Sequence, residues 1–297
     1  MENRFLQLLG CLAVFCSAFC FYLATAVVKW AKTAQVVIDP AYFVFARFLS
    51  GFILVCGVML VIKRGPRPVR YDYLLGRTLT NCVAVFTFFK AVDATSVAEA
   101  NILNMTYPLF IALISWVLFR EERDPVSVGI VMAAFAGVWL IVSPGAVNLK
   151  PQSLWGVASG ISAAVAIIYL NLGRKFHDTE TTLFFLFGIG TLIMGVGFRH
   201  TIVMPDGPML KYLALCSAFS VAGQYLITVG FKYVTALEGS IISSTRILLA
   251  AILGPLITAD PILSGSGWIG AGLIFAGNIY LTVRKARASS RNPVLPG

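Results

Sequence analysis

Apolar and polar positions alternate along this chain on a coarse scale. Ten long apolar runs are separated by short polar segments. Each run is about the length a helix needs to cross the ~30 Å hydrocarbon layer of a bilayer. They are Phe5–Val28, Ala41–Ile62, Tyr73–Lys90, Ser96–Phe119, Pro125–Val142, Gln152–Leu172, Thr181–Phe198, Met209–Phe231, Thr235–Thr258 and Gly267–Val283. Start signals sit where helices should begin. Asp39-Pro40 and Asp124-Pro125 place a cap before a first-turn proline. Asp206 lies in the turn-rich stretch Met204–Pro208. The pattern predicts an all-α integral membrane protein. The first run is too long for the core of a cleaved signal and reads as a retained span. The basic end, Arg284–Gly297, reads as a disordered tail.

The fourth run stands out. Ser96 and Glu99 have capping-box spacing. Its first half carries Asn101, Asn104 and Tyr107, and Pro108 falls near its centre. Amides and a proline at mid-depth imply a wet or protein-packed face, where freed backbone groups find partners. The run also has an echo. Shifted by 139 positions, Thr95–Phe110 lies over Val234–Leu249. Ser96 and Glu99 become Thr235 and Glu238, Asn101 becomes Ser240, Asn104 becomes Ser243, and Tyr107 becomes Arg246. Phe135-Ala136-Gly137 returns as Phe275-Ala276-Gly277. Repetition at half the chain length predicts two copies of a five-span unit. Residues 1–148 form the first, 149–284 the second, and 285–297 a tail. Five is odd, so the second copy is expected to lie inverted, in a five-plus-five arrangement.

Composition agrees: 58% of the 297 residues are hydrophobic and only 12% charged, about half the charge of a soluble domain. The net charge of +10 resides in short loops, which points to membrane orientation rather than nucleic acid. With the N-terminus inside, inner segments carry fifteen Lys and Arg and outer segments six. Both termini are therefore expected in the cytoplasm. The six cysteines all fall inside apolar runs and imply no disulfide framework. Cys16 and Cys20 share a helix face without a histidine or further cysteine beside them. No cofactor and no metal is expected.

Of thirteen acids, only Glu99 and Glu238 lie inside runs. Each reads first as half of a capping box that offsets its helix dipole; the alternative is a proton- or cation-coupling site. Arg246 lies mid-run with no acid at matching depth. A charge there costs at least about 2.5–3.5 kcal/mol. Either it grips a substrate carboxylate, which suits the guanidinium fork, or it bonds backbone freed by Pro108. Arg47 falls nearer the outer surface and is expected to snorkel. Asn81, Gln224, Tyr225, Tyr22, Phe86, Ser243 and Ser244 are further pocket candidates. Any one polar side chain in a span more often just glues helices, at about 0.6 kcal/mol. Their clustering on repeat-related runs is what points to a cavity. Pro108 is a candidate hinge. Small residues (Gly129, Ala133, Ala136 and Gly137; Gly267, Gly270 and Gly277) allow close helix packing within a protomer or between two, as a monomer or weak homodimer.

His177 and His200 lie in or beside loops, and no HExxH, GxSxG, P-loop or paired mid-membrane carboxylates occur. An intramembrane enzyme or a passive pore would want such a constellation, or a charged ring. The order of motifs resembles the drug/metabolite transporter superfamily, EamA type. Ala91–Glu99 leads through Tyr107-Pro108-Leu109-Phe110 to Leu118-Phe119-Arg120-Glu121-Glu122, then to Gly129–Gly137 and Ser143-Pro144-Gly145. In the second half Ile247 replaces the proline and Thr258-Ala259-Asp260 the acidic end, so the halves are expected to contribute unequally. The resemblance implies a secondary transporter in the bacterial inner membrane, often an exporter of amino acids or other small metabolites. Spans one to four of each half would line a central cavity. Amino-acid exporters of the YddG type are one branch. Organic cations, sugars and nucleotides stay open as substrates.

Overall fold

Helix after helix forms where the apolar runs lie. The computed structural model describes residues 2–118, 125–142, 151–173, 175–233 and 236–291, and among these it is all helical with no strand. The helices are α1 (Glu2–Thr33), α2 (Pro40–Val61), α3 (Tyr71–Ala94), α4 (Val97–Asn104), α5 (Tyr107–Leu118), α6 (Pro125–Val142), α7 (Leu154–Gly173), α8 (Thr179–Gly197), α9 (Gly207–Tyr233), α10 (Ala236–Ile257) and α11 (Gly265–Arg291). Among the described residues, five stretches are, by length and composition, apolar enough to cross a membrane: Leu8–Thr33, Pro40–Val61, Pro151–Leu170, Thr179–Gly197 and Gly207–Gly230. Large apolar side chains such as Leu60, Leu79, Leu192, Val196 and Leu256 point outward, as they do where the surrounding solvent is lipid.

Two expectations need correction. The fourth run is two helices. α4 ends at Asn104, Met105 and Thr106 turn, and α5 begins at Tyr107. Pro108 has no N–H for the Asn104 carbonyl and its ring crowds that carbonyl, so the helix breaks one turn upstream. The turn is satisfied locally: Thr106 Oγ1 donates to Leu103 O at 2.6 Å and Asn278 Nδ2 to Met105 O at 2.8 Å. Ile247 takes the matching place in α10, which runs unbroken to Ile257. The basic end is not a disordered tail as far as Arg291, because α11 continues through it. Arg, Lys and Ala are good helix formers, so nothing there stops the helix.

Helices from the two halves pair antiparallel. Along α1 and α9, Val14 meets Gly230, Ser17 Oγ donates to Gly223 O at 2.7 Å, and Cys216 Sγ to Ala24 O at 3.4 Å. Along α3 and α7, Gly76 lies under Tyr169 and Ser159 Oγ donates to Ala84 O at 2.9 Å. In α2 and α8, Phe48 meets Gly190 and Gly51 meets Phe187. In α6 and α11, Gly137 and Gly270 touch backbone to backbone; a Cβ on either would come within 2.7 Å of the other's carbonyl. These small residues therefore pack helices within the chain. Gly129 faces open space. One apolar core, with Tyr22, Phe43, Phe48, Phe89 and Phe187, ties α1, α2, α3, α8 and α9. A second, with Ile102, Leu103, Leu109, Ile247 and Ile274, surrounds the α4–α5 break.

Candidate functional site

The break in the fourth run leans on α7 at Gly156 and Gly160, where Leu103 and Thr106 leave no room for a Cβ. That approach brings Asn104 to Ser159, and Asn104 Nδ2 donates to Ser159 Oγ at 2.6 Å. The other end of the same amide, Oδ1, accepts from Arg246 Nη2. Arg246 is only 6% exposed. Its guanidinium lies 5.3 Å from the Phe88 ring centroid and 5.9 Å from that of Phe21. Tyr107 lies beside Arg246 and Ser243. Arg246, Asn104, Tyr107 and Ser243 thus form one cluster, contributed by both halves.

Arg47 does not snorkel as its position in the sequence suggests. It is 5% exposed, its Nη2 donates to Gln224 Oε1 at 3.4 Å, and its guanidinium sits 5.6 Å from the Phe21 centroid. Phe21 thus lies within 6 Å of two cations, Arg47 and Arg246. Cys82 and Cys216 flank Arg47. The register of α2 explains this: Phe43, Val44, Arg47, Phe48 and Gly51 share its buried stripe, whose period carries Arg47 inward with them. Arg77, counted among the cations of the inner segments and one turn into the third run, is buried too, and it lies within electrostatic reach of Arg47. Among the described residues the ion pairs are Lys32–Asp93 at 3.2 Å and Arg70–Asp72 at 2.7 Å. Neither involves a buried arginine.

The other candidates scatter. Asn101 Nδ2 donates to Thr25 Oγ1 at 3.1 Å and to Val97 O at 2.8 Å, while its Oδ1 has no partner. Tyr22 is fully buried near Asp260, its hydroxyl also unpartnered. Asn81 is buried on α3 with an unpartnered Nδ2. Tyr225 lies within electrostatic reach of Glu180 and Cys56, and Phe86 packs tilted on Phe198 with ring centroids 4.9 Å apart; neither joins Arg246. Phe88, two positions on, does. Ser244 is buried on α10. The Ser96 cap forms, accepting from Glu99 N at 3.0 Å, but the Glu99 carboxylate accepts from Ser153 Oγ of the other half rather than reaching back to Ser96. The box is half formed. The Glu238 side chain and Thr235 lie outside the described residues. Phe21 and Phe88 escaped sequence reading because nothing separates a phenylalanine in an apolar run from lipid-facing neighbours.

A profile of the EamA-like transporter family matches the chain twice, over residues 8–143 and 151–283. An uncharacterized transporter of Helicobacter pylori is 25% identical over 292 residues, covering 93% of this chain and 95% of that protein. A riboflavin transporter of Rhizobium johnstonii is 24% identical over 296 residues, covering 96% and 94%. A pseudopaline exporter of Pseudomonas aeruginosa is 26% identical over 246 residues, covering 80% and 82%. One solved crystal structure shares the fold at a TM-score of 0.60 and 19% identity, covering 93% of this chain and 98% of that one. The chain is a multi-pass membrane protein and belongs to the EamA-like transporter family of the drug/metabolite transporter superfamily.

Proposed function

We propose that the protein exports amino acids or similar carboxylate-bearing metabolites across the inner membrane by alternating access, with both termini in the cytoplasm. The observation that carries this reading is Arg246. It is a buried cation at the junction of the halves whose protein partners are a neutral amide and two aromatic faces. Its Nε has no partner. Guanidinium does not shed its proton, so the site wants an anion, and a carboxylate matches its fork. Organic cations are disfavoured by the same charge. Asn104, Tyr107, Ser243 and Gln224 supply hydrogen bonds, and Glu99 is the coupling candidate.

The halves act as inverted repeats. This is supported by repeat-equivalent helices α2 and α8, and α6 and α11, which pair antiparallel, as a two-fold axis in the membrane plane would place them. Equivalent positions also meet: Tyr107 lies by Arg246, its mate at a shift of 139. Such an axis allows one half to rock on the other about a fixed site.

The test is counter-flow into proteoliposomes with a panel of amino acids and organic cations. Carboxylate-bearing solutes trapped inside should accelerate labelled uptake in a saturable way, and Arg246→Ala should abolish the effect. Unchanged amino-acid uptake in Arg246→Ala would refute the carboxylate role. Non-saturable flux would indicate a pore.

A further inference from the structure

The second buried arginine at the centre has no place in a site for one carboxylate. Arg47 and Arg246 each lie within 6 Å of the one Phe21 centroid, at 5.6 and 5.9 Å. They come from different halves, and each is at least nine-tenths buried with an unpartnered Nε. Their polar partners, Gln224 and Asn104, are neutral amides. Two buried positive charges thus share one aromatic ring, within electrostatic reach of each other, where water is largely excluded. Their mutual repulsion and their desolvation both oppose burial. Removing a proton is no escape for a guanidinium. A single carboxylate would neutralise one of the pair and leave the other.

We propose that the site is built for a substrate with two anionic groups, one on Arg246 and the other on Arg47, spanning the Phe21 ring. This rests on the carboxylate reading of Arg246 and extends it. Gln224 fits the scheme: while its Oε1 accepts from Arg47, its amide N–H groups are free to turn to the ligand. Arg77 continues the line of charge. It reaches Arg47 electrostatically and lines a small recess with Tyr73, Tyr169 and His177, at the end of the bundle where the α2–α3 and α7–α8 loops meet. An anion leaving that recess for the centre passes from one guanidinium to the next.

Matched acids and amides test this in the purified full-length protein. The pairs are succinate with succinamate and glutamate with glutamine, read by the rise in Tm in detergent and by competition in counter-flow. In each pair the acid should act at about tenfold lower concentration than the amide, the preference expected from one added ion-pair contact of ~1.4 kcal/mol. Arg47→Gln should collapse that ratio to near one, and Arg47→Lys, which keeps the charge, should restore part of it. If acid and amide act alike on the wild type, the two-anion site is wrong while the Arg246 reading survives. If the ratio persists in Arg47→Gln, Arg47 is not the second subsite and the proposal is overturned. If no carboxylate of either kind binds or is carried, the Arg246 reading itself fails. Should Arg47→Gln not fold, the wild-type ratio and Arg47→Lys still decide.

Discussion

Asn104 holds both sides of the junction with one side chain. Its Nδ2 donates to Ser159, which donates onward to Ala84 O, and its Oδ1 accepts from Arg246. The amide therefore orients the cation without neutralising it. Asn104→Asp changes one atom's chemistry and almost nothing of shape. The new carboxylate would serve as a counter-ion from within, so the arginine would no longer need one from the substrate. We expect that variant to bind carboxylate solutes at least ~10-fold more weakly while remaining folded, an effect worth about 1.4 kcal/mol, measured by competition in counter-flow. Undiminished affinity would mean that Arg246 does not meet the substrate's charge. At this scale much of the candidate site is legible in the chain. Arg246 and the amides announce themselves because a polar group in hydrocarbon is costly and has to be explained. Phe21 and Phe88 do not, since an aromatic on a buried face and one facing lipid look the same in a sequence.

The fourth span sets the geometry of the centre. Its break exists because one residue, Pro108, cannot accept the helical pattern, and Gly156 and Gly160 on α7 receive the displaced backbone. Pro108→Ala would restore a donor to Asn104 O and let α4 run into α5, moving Asn104 off Ser159. Initial transport rates in proteoliposomes should fall severalfold, and a rate equal to wild type would show that the break is not used as a hinge. The proline and its loss at Ile247 are plain in the sequence, and they foretell that the halves differ. Where the helix breaks is less plain. The end of α4 depends on Asn278 of α11 reaching Met105 O at 2.8 Å, a partner far away in the chain. The buried side of α2 is a similar case. Arg47 has the long stem of a snorkelling residue, but the stripe it belongs to packs inward, with Phe48 and Gly51 on α8 and Arg47 on Gln224 of α9.

At the scale of the whole bundle, the two halves are latched at both ends. At one, Val97 N donates to Asp260 Oδ2 at 2.6 Å, Trp30 Nε1 to Ile257 O at 2.8 Å, and Ser153 to Glu99. Ala259, at φ 51°, turns Asp260 back over the start of α4. At the other, the backbone N–H groups of Val69 and Arg70 both donate to His177 Nε2 at 3.1 Å, and Arg67 N donates to Thr181 Oγ1 at 3.0 Å. The central arginines are closed off between these sets of bonds. On the proposed alternating access, one set opens while the other holds. Asp260→Ala should loosen the first set alone. A cysteine placed at Ala98, which is buried there, should then react severalfold faster with an impermeant thiol reagent in a background without the native cysteines. An unchanged labelling rate would show that Asp260 does not hold that end shut.

Taken alone, the chain determines what local physics controls. Run lengths set the number of spans, because a bilayer has one thickness. Caps and prolines set where helices start and where one fails. A repeated segment with an odd number of spans makes inversion the expected arrangement, and a mid-span arginine demands an anion or a neutral partner. The tertiary structure alone decides which buried groups meet. Arg47 and Arg246 lie 199 positions apart, on helices that nothing local relates, and only packing brings both guanidinium groups onto the Phe21 ring. Covalent neighbours fix whether a helix forms, while contacts between distant segments fix which way each face turns, and the charge at the centre depends on the second.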